Sequence, residues 1–497
     1  MAAALALAAA PSAWRLSDED RRALDAVSAD SLRGHLSFLA SDALGGRVTP
    51  SAGQQVAAEY IAAQFRRAGL EPLGDDAYFQ TAPARVATPR AEGFRFTVTT
   101  AEGTDEVPAE AFEMSTAEPV ALDDVALVAL AGDSVPDSAT VAGRAVLTEI
   151  EDVPPGAGRR EAAARRRERM RALFEARPAL VVAVDRRLRP PTGYFDTPML
   201  VDPAPRAVAP ARLVTASAPA LARAFEVLAA GPPGRLTLHL AEPRREEVPL
   251  RNVAGLLRGS DPALAGTYVL VSAHYDGTGP QPGATGPDRI WNGANDDGSG
   301  TVTVIELASA LSRLHPRPRR SIVFLAFFGE EKGLLGSAWY AAHPLVPLAE
   351  TVADLNLEHL GRTDSTERGR RAGTASLTGF DYSDLPVVFE AAGRATGIDV
   401  YKDARRSDPF FAASDNYPLA EAGVVAHTVC VLFEDFADYH GAGDEWPKID
   451  FPNMEREVRL VGAALLMVAQ SREEPRWRAD VPPAAPFLLA WRQRHGG

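Results

Sequence analysis

Apolar residues follow two rhythms along this chain, and the rhythm changes twice. Near the start, Leu32, Leu36 and Leu39 recur at helical spacing behind Asp30, and Val56, Tyr60, Ile61 and Phe65 share one face of a second segment running from about Gly53 to Gly69. Residues three and four apart lie on one side of an α-helix, so both segments read as amphipathic helices, with Asp30 a good N-cap for the first and Gly69 a stop for the second. From about Pro83 alternation takes over: Phe94 to Val98 and Val125 to Val128 read as half-exposed strands, Ala145 to Leu147 and Leu180 to Val182 as buried ones. After Asn252 strands are predicted near 268–273, 321–328, 352–359 and 424–431, and helices near 301–314, 333–343, 384–396 and 454–470. That alternation predicts a largely parallel sheet covered by helices.

A chain of 497 residues is too long for one ordinary core, and the changes of rhythm suggest where it divides. Residues 14–84 and 247–475 read as one α/β domain, 85–246 as a β-rich domain inserted into it, and 476–497 as a tail rich in Pro and Trp. Within the insert, Arg159 to Arg177 is arginine-rich but broken by Glu161, Glu168 and Glu175. The i,i+4 pairing of Glu161 with Arg165 makes this a solvated helix face rather than a nucleic-acid surface. Pro190-Pro191, Pro203 to Pro210 and Pro232-Pro233 punctuate the region as loops.

Charge and hydropathy narrow the function. A net charge of -14 argues against nucleic acid and anionic membranes as partners, and 46% hydrophobic residues with a mean hydropathy of -0.11 describe a globular chain. No internal run approaches the roughly 20 apolar residues of a membrane span. The first residues, MAAALALAAAPSAW, resemble the apolar core and cleavage site of a secretory signal cut after Ala13, although the charged leader is missing, and a secreted or periplasmic location is the expectation. The single Cys430, in an apolar run, reads as a core thiol.

The chemistry gathers where strands end. The run Tyr268 to Val271 delivers His274 and then Asp276, and a loop after it carries Asn295, Asp296 and Asp297 before Gly298-Ser299-Gly300 opens a helix. The next strand ends in Gly329-Glu330-Glu331, the third in Asn356-Leu357-Glu358-His359, and the fourth is followed by Asp438-Tyr439-His440 and Gly443-Asp444-Glu445. Each group alone reads better as a polar turn or an acid at a helix start. Four at the ends of successive strands converge on one crevice, and imidazole beside carboxylates is zinc-ligand chemistry, although cobalt and manganese suit the same donors. Adjacent carboxylates such as Glu330 and Glu331 diverge, so one can hold a metal while the other handles a proton.

The stretches SAHYDGTG, NGANDDGSG, FFGEEKGLLGS, NLEHLGR, SDNYPLAEAGV and DYHGAGDEWPKID resemble, in order and spacing, the di-zinc exopeptidases of metallopeptidase family 28, clan MH, mostly aminopeptidases. The likeness covers nearly all of 250–450; LASDALGGR and AAEYIAAQFRRAGLEPLG are similar to the helices before the catalytic domain in many members, and the insert is more loosely similar to a protease-associated domain. The resemblance implies a three-layer α/β/α domain with a mixed, mainly parallel sheet. It implies an aminopeptidase removing N-terminal residues of peptides through a hydroxide bridging two zinc ions, with His274 and Glu358 on one ion, Glu331 and His440 on the other, and Asp296 bridging. Glu330 would be the general base, Asp276 would fix the tautomer of His274, Tyr439 would stabilise the oxyanion, and the Asp296–Asp297 peptide would be cis. Glu358 stands where the family more often has Asp, and Ala413 where it often has Arg. His359 is expected to point away from the site as a structural residue, and His427 and His343 to be satisfied local histidines. Rival readings are a carboxypeptidase, with Arg405 and Arg406 as candidate carboxylate binders, a one-zinc glutaminyl cyclase, or a non-catalytic receptor on the same scaffold. Oligomeric state is not legible.

Overall fold

The computed structural model describes residues 14–114, 116–131, 138–149, 169–184, 194–195, 198–201, 213–280, 287–364, 371–434 and 436–496. The readings on 1–13, on 159–168, and on the prolines at 190–191 and 203–210 lie outside the described residues. The chain forms two compact units, Met1–Pro83 together with Pro249–Gly497, and Ala84–Val248.

In the first unit the strands Ala426–Cys430, Thr351–Leu357, Tyr268–His274 and Ser321–Phe327 lie side by side in that order, all parallel. Their side chains are almost entirely buried on both faces, the state for which continuous apolar runs are suited. Arg244–Leu257 pairs antiparallel outside Ser321–Phe327, and Thr374–Leu377 antiparallel outside Ala426–Cys430, so the sheet is mixed. The strand after Tyr268–His274 in sequence lies on one side of it and the following one on the other. Strand order therefore reverses at His274, and a crevice opens beyond the carboxyl ends there.

Helices Ser299–Leu311 and Phe451–Gln470 pack on the Tyr268–His274 strand, while Leu335–Ala342 packs on Ser321–Phe327 and Asn416–Glu421 on the two strands beyond. Right-handed crossovers running in opposite directions across the sheet put the Ser299 and Leu335 helices on opposite faces, giving three layers. The N-terminal helices Ala29–Leu39 and Ala52–Ala68 join the Ser299–Leu311 layer. Their N-caps are Ser28 and Ser51, each accepting from the backbone three residues on, and Asp30 sits in the first turn rather than at the cap. The tail belongs to this unit too. Trp477 Nε1 donates to Gly423 O at 3.2 Å, and Phe487 packs with its ring tilted against Trp477 and Phe411, with centroids 5.2 and 5.1 Å away.

The second unit has an eight-stranded sheet whose centre is four adjacent parallel strands, Val120–Leu130, Ala145–Glu149, Leu180–Val184 and Leu213–Ala216. Alternation splits their side chains between two cores: Leu127, Leu147 and Val182 pack with Phe112 on one face, Val128, Val146 and Val181 with Leu173 on the other. Among the described residues no helix is long and apolar enough to cross a membrane.

Candidate metal centre

The four carboxyl ends and the loops after them bring a cluster of titratable side chains into one crevice. His274 ends its strand with 1% of its side chain exposed, and its carbonyl accepts from the Thr301 hydroxyl at 2.7 Å. Its Nε2 lies 3.4 Å from Asp296 Oδ1, 3.9 Å from Glu330 Oε2 and 4.0 Å from Glu358 Oε1, and its Nδ1 lies 3.5 Å from Asp276 Oδ1. On the far side, His440 Nε2 is 3.1 Å from Asp296 Oδ2 and 3.3 Å from Glu331 Oε2. Asp296 thus presents one oxygen to each imidazole.

Local sequence explains how these groups are held. Gly293 (φ 57°) starts the Asp296 turn, and at Gly300 a β-carbon would lie 2.3 Å from Asp297 Oδ2, so a side chain there would have to displace the buried carboxylate that accepts the Gly300 N–H. The Asp296–Asp297 peptide is cis. Asp444 accepts from the backbone N–H of Asn295 at 2.9 Å and of Asp296 at 3.0 Å, and Asn295 Oδ1 accepts from those of Gly361 and Arg362 at 2.8 and 2.9 Å. Arg362 reaches Asp438 Oδ2 at 3.0 Å, which ties the Glu358 loop to the loop carrying Tyr439 and His440. Asp276 accepts the Glu330 N–H at 3.1 Å, so one carboxylate faces both the His274 ring and the Glu330 backbone.

His359 corrects the sequence reading. Its Nε2 lies 3.5 Å from Asp296 Oδ1 and is buried without a hydrogen-bond partner, with the ring edge-on to Phe436 and Tyr439. The expectation assumed strand alternation, but His359 sits in left-handed backbone (φ 53°) just past the strand, which turns its side chain to the same side as Glu358. His427 and His343 are local. His427 pairs with the Ser383 hydroxyl and Thr378 O, both at 2.7 Å, and His343 Nδ1 with Trp339 O at 3.2 Å. Arg406 is buried beside Asp403, Arg405 is exposed, and neither lines the crevice.

The electrostatics are those of too many charges in too little water. Burial would lower the His274 imidazole, but Glu330, Asp276, Asp296 and Asp297 outweigh it and hold it well above its ordinary value. His440 and His359 are held up at about 10 against the same burial cost, by contact with Asp296 and, for His440, Glu331. Burial pushes Glu330 well above the carboxylate range, with Glu358, Asp415 and Glu331 adding to it, and it also raises Glu331 and Glu358. Burial and the nearby acids keep the Tyr439 hydroxyl protonated.

The donor set fits a metal. Both ring nitrogens of His274 are buried with no hydrogen-bond partner, and ligand atoms of Asp296, Glu331 and His440 lie within 4.8 Å of one another. Tetrahedral ligands at zinc distances stand about 3.3 Å apart; His274 and His440 lie 3.4 and 3.1 Å from Asp296 and His440 3.3 Å from Glu331, while Glu358 stands farther, 4.0 Å from His274. Beside these groups lies a pocket of about 230 Å³ lined by Asp296, Glu330, Glu331, Glu358, Glu434, Tyr439, the apolar Phe410, Leu432 and Phe433, and Cys430. No Lys or Arg is among the described residues lining it.

Residues 252–465 match the model of peptidase family M28. A vacuolar membrane protease of Pyricularia oryzae is 41% identical over 93 residues, 19% of this chain and 8% of that protein. A Pyrenophora tritici-repentis protein named "Probable zinc metalloprotease" is 26% identical over 263 residues, 46% of this chain and 59% of that one. The chain thus spans less than two thirds of these curated relatives. Among solved structures, an aminopeptidase from Aneurinibacillus sp. strain AM-1 (TM-score 0.58, 18% identity) covers 92% of this chain, with 97% of its own chain matched. A zinc aminopeptidase of Bacillus subtilis (TM-score 0.52, 19% identity) covers 90%, again with 97% of its chain matched; at such identities the likeness speaks to the fold. Residues 252–465 of this chain are a peptidase family M28 domain.

Proposed function

We propose that the chain is a zinc-dependent aminopeptidase that hydrolyses the first peptide bond of substrates bearing a free α-amino group. The observation that carries this reading is the make-up of the pocket: five carboxylates and no Lys or Arg among its described lining residues, with His359 and His440 its basic side chains. Glu434, neither a proposed zinc ligand nor the proposed base, offers a carboxylate to a cationic α-ammonium, whereas no Lys or Arg is there to receive a substrate carboxylate.

His274 and Glu358 would hold one zinc, Glu331 and His440 a second, with Asp296 offering an oxygen to each. Bound zinc supplies polarisation of the scissile carbonyl and acidification of water. The chain's own residues do the rest. Asp276 orients His274 through Nδ1. Glu330, a carboxylate whose proton affinity burial has raised, takes a proton from the attacking water and passes it to the departing amine nitrogen as the C–N bond breaks. Tyr439, kept protonated, donates to the oxyanion as the carbonyl becomes tetrahedral. Phe410, Leu432 and Phe433 form an apolar wall for the first side chain.

A leucyl peptide, its N-acetylated form and its C-terminally amidated form test the reading. Free-amine and amidated peptides should be cleaved and the acetylated one spared, with activity lost to a chelator and restored by zinc. Cleavage that needs a free C-terminal carboxylate instead would overturn the assignment.

A further inference from the structure

The segment Ser41 to Gln54 lies outside the matched domain 252–465, yet it forms the back wall of the metal centre. Gly45, Gly46 and Arg47 are three successive left-handed residues (φ 55°, 65° and 53°), and they turn the Arg47 side chain inward until 1% of the residue is exposed. There the guanidinium donates to four backbone carbonyls: Tyr275 at 2.8 Å, Leu39 at 2.7 Å, Asn292 at 2.6 Å and Gly293 at 2.9 Å. Two of the loops it joins carry site residues, Tyr275 lying between His274 and Asp276, and Asn292 and Gly293 opening the turn to Asp296. The fit is close: a β-carbon on Gly46 would lie 2.3 Å from Trp291 O, and one on Gly293 3.3 Å from Arg47 Nη2. Val48 then pairs with Gly277 as an isolated parallel bridge, and Thr49 donates its hydroxyl to Asp276 Oδ2 at 2.9 Å while accepting from Gln54 Nε2 at 2.6 Å. Asp276 is the carboxylate that faces His274 Nδ1 and accepts the Glu330 N–H.

We propose that Thr49 and Arg47 are positioning residues of the metal centre: Thr49 sets the orientation of Asp276, and through it His274, while the Arg47 fork fixes the two loops that carry His274 and Asp296. The reason lies in the geometry. Asp276 must offer one oxygen to His274 and the Glu330 amide, and a carboxylate with its second oxygen unheld can rotate away from both. A guanidinium that spans four carbonyls has a rigid planar fork that a lysine ammonium cannot reproduce. The M28 domain is therefore incomplete without residues lying more than a hundred positions upstream, across the inserted unit.

This inference rests on the proposed function for its zinc, and its test reads metal binding as well as activity. Thr49→Val, Thr49→Ser and Arg47→Lys are made in the full chain. Zinc retained against a graded chelator, the melting temperature of the zinc-free chain, and kcat and KM are measured for each. Thr49→Val should lower zinc affinity about 10- to 100-fold, the usual effect of losing a partner that orients a metal-binding histidine. It should lower kcat with little change in KM and leave the zinc-free melting temperature near the parent's, and Thr49→Ser should restore zinc affinity and kcat. Arg47→Lys should follow Thr49→Val; if it fails to fold, the Thr49 pair decides. Parental zinc affinity and kcat in Thr49→Val, or losses that Thr49→Ser does not recover, would overturn the proposal. An unaltered chain that binds zinc but cleaves no peptide defeats the proposed function alone, since the zinc readout still decides this inference.

Discussion

Both units centre on four adjacent parallel strands with both faces covered, yet they treat buried charge in opposite ways. Between Ala84 and Val248 the buried polar side chains among the described residues are Thr88, Thr97 and Thr148, none of them charged. The other unit buries His274, Asp276, Asp296, Asp297, His359, Asp415 and Asp444 around one crevice, with the Arg47 guanidinium behind them. A parallel sheet by itself asks for no titratable groups. Where they are buried in number, the desolvation cost persists only because something offsets it, and here a metal cation is the fitting partner.

The contrast is sharpest at the ligands. His274→Ala should lower zinc affinity well over about 100-fold, more than the loss of an outlying partner costs, and peptide hydrolysis should go with it; equilibrium dialysis with zinc counting checks this. Leu147→Ala, fully buried in the insert, should cost about 2–5 kcal/mol of that unit's stability while zinc affinity and kcat stay at parental values, as denaturant unfolding and the same zinc assay would show.

Next in size is pH. In the zinc-free chain His359 and His440 titrate at about 10 rather than 6.5, and Asp415 and Asp444 at about 7 and 6 rather than 3.8. These shifts are upward, so the folded state binds more protons than the unfolded one between each pair of values. Their stabilisation is fully present below the unfolded values and is lost as pH rises through the folded ones. Melting of the zinc-free catalytic unit should therefore fall between about pH 4 and 10, and the stabilisation by added zinc should grow with pH as the metal displaces those protons. A flat profile would remove the electrostatic difference between the units. The smallest effect belongs to the surface: Arg235→Ala, which breaks the exposed pair with Asp124 in the insert, should leave melting temperature and zinc affinity within error.

Much of this was legible in the chain, for physical reasons that also set the limit. The four central strands are short apolar runs between helical periods, so pattern alone located them, and their carboxyl ends were where His274, Glu330, Glu331 and Glu358 had to emerge. The long strand Arg244–Leu257 was hidden because its first half is charged and exposed, and Thr374–Leu377 because four residues carry too little pattern. His359 was misread because alternation stops where the backbone turns left-handed. Arg47 and Thr49 carried a signal, two glycines before the arginine and a proline after the threonine. Their partners, however, lie up to 246 residues away, and no local rhythm reports such a contact. The docking of Trp477 and Phe487 was equally invisible, being a matter of which aromatic cluster the tail meets after folding.

The most direct test of a zinc peptidase centre separates metal from proton. Glu330→Gln keeps the shape of the side chain and removes its basicity, and Glu330 is not among the proposed ligands. The variant should bind as much zinc as the parent while kcat on a free-amine leucyl peptide falls about 10²- to 10⁴-fold. Full zinc with undiminished hydrolysis would contradict the account, and so would loss of zinc together with activity.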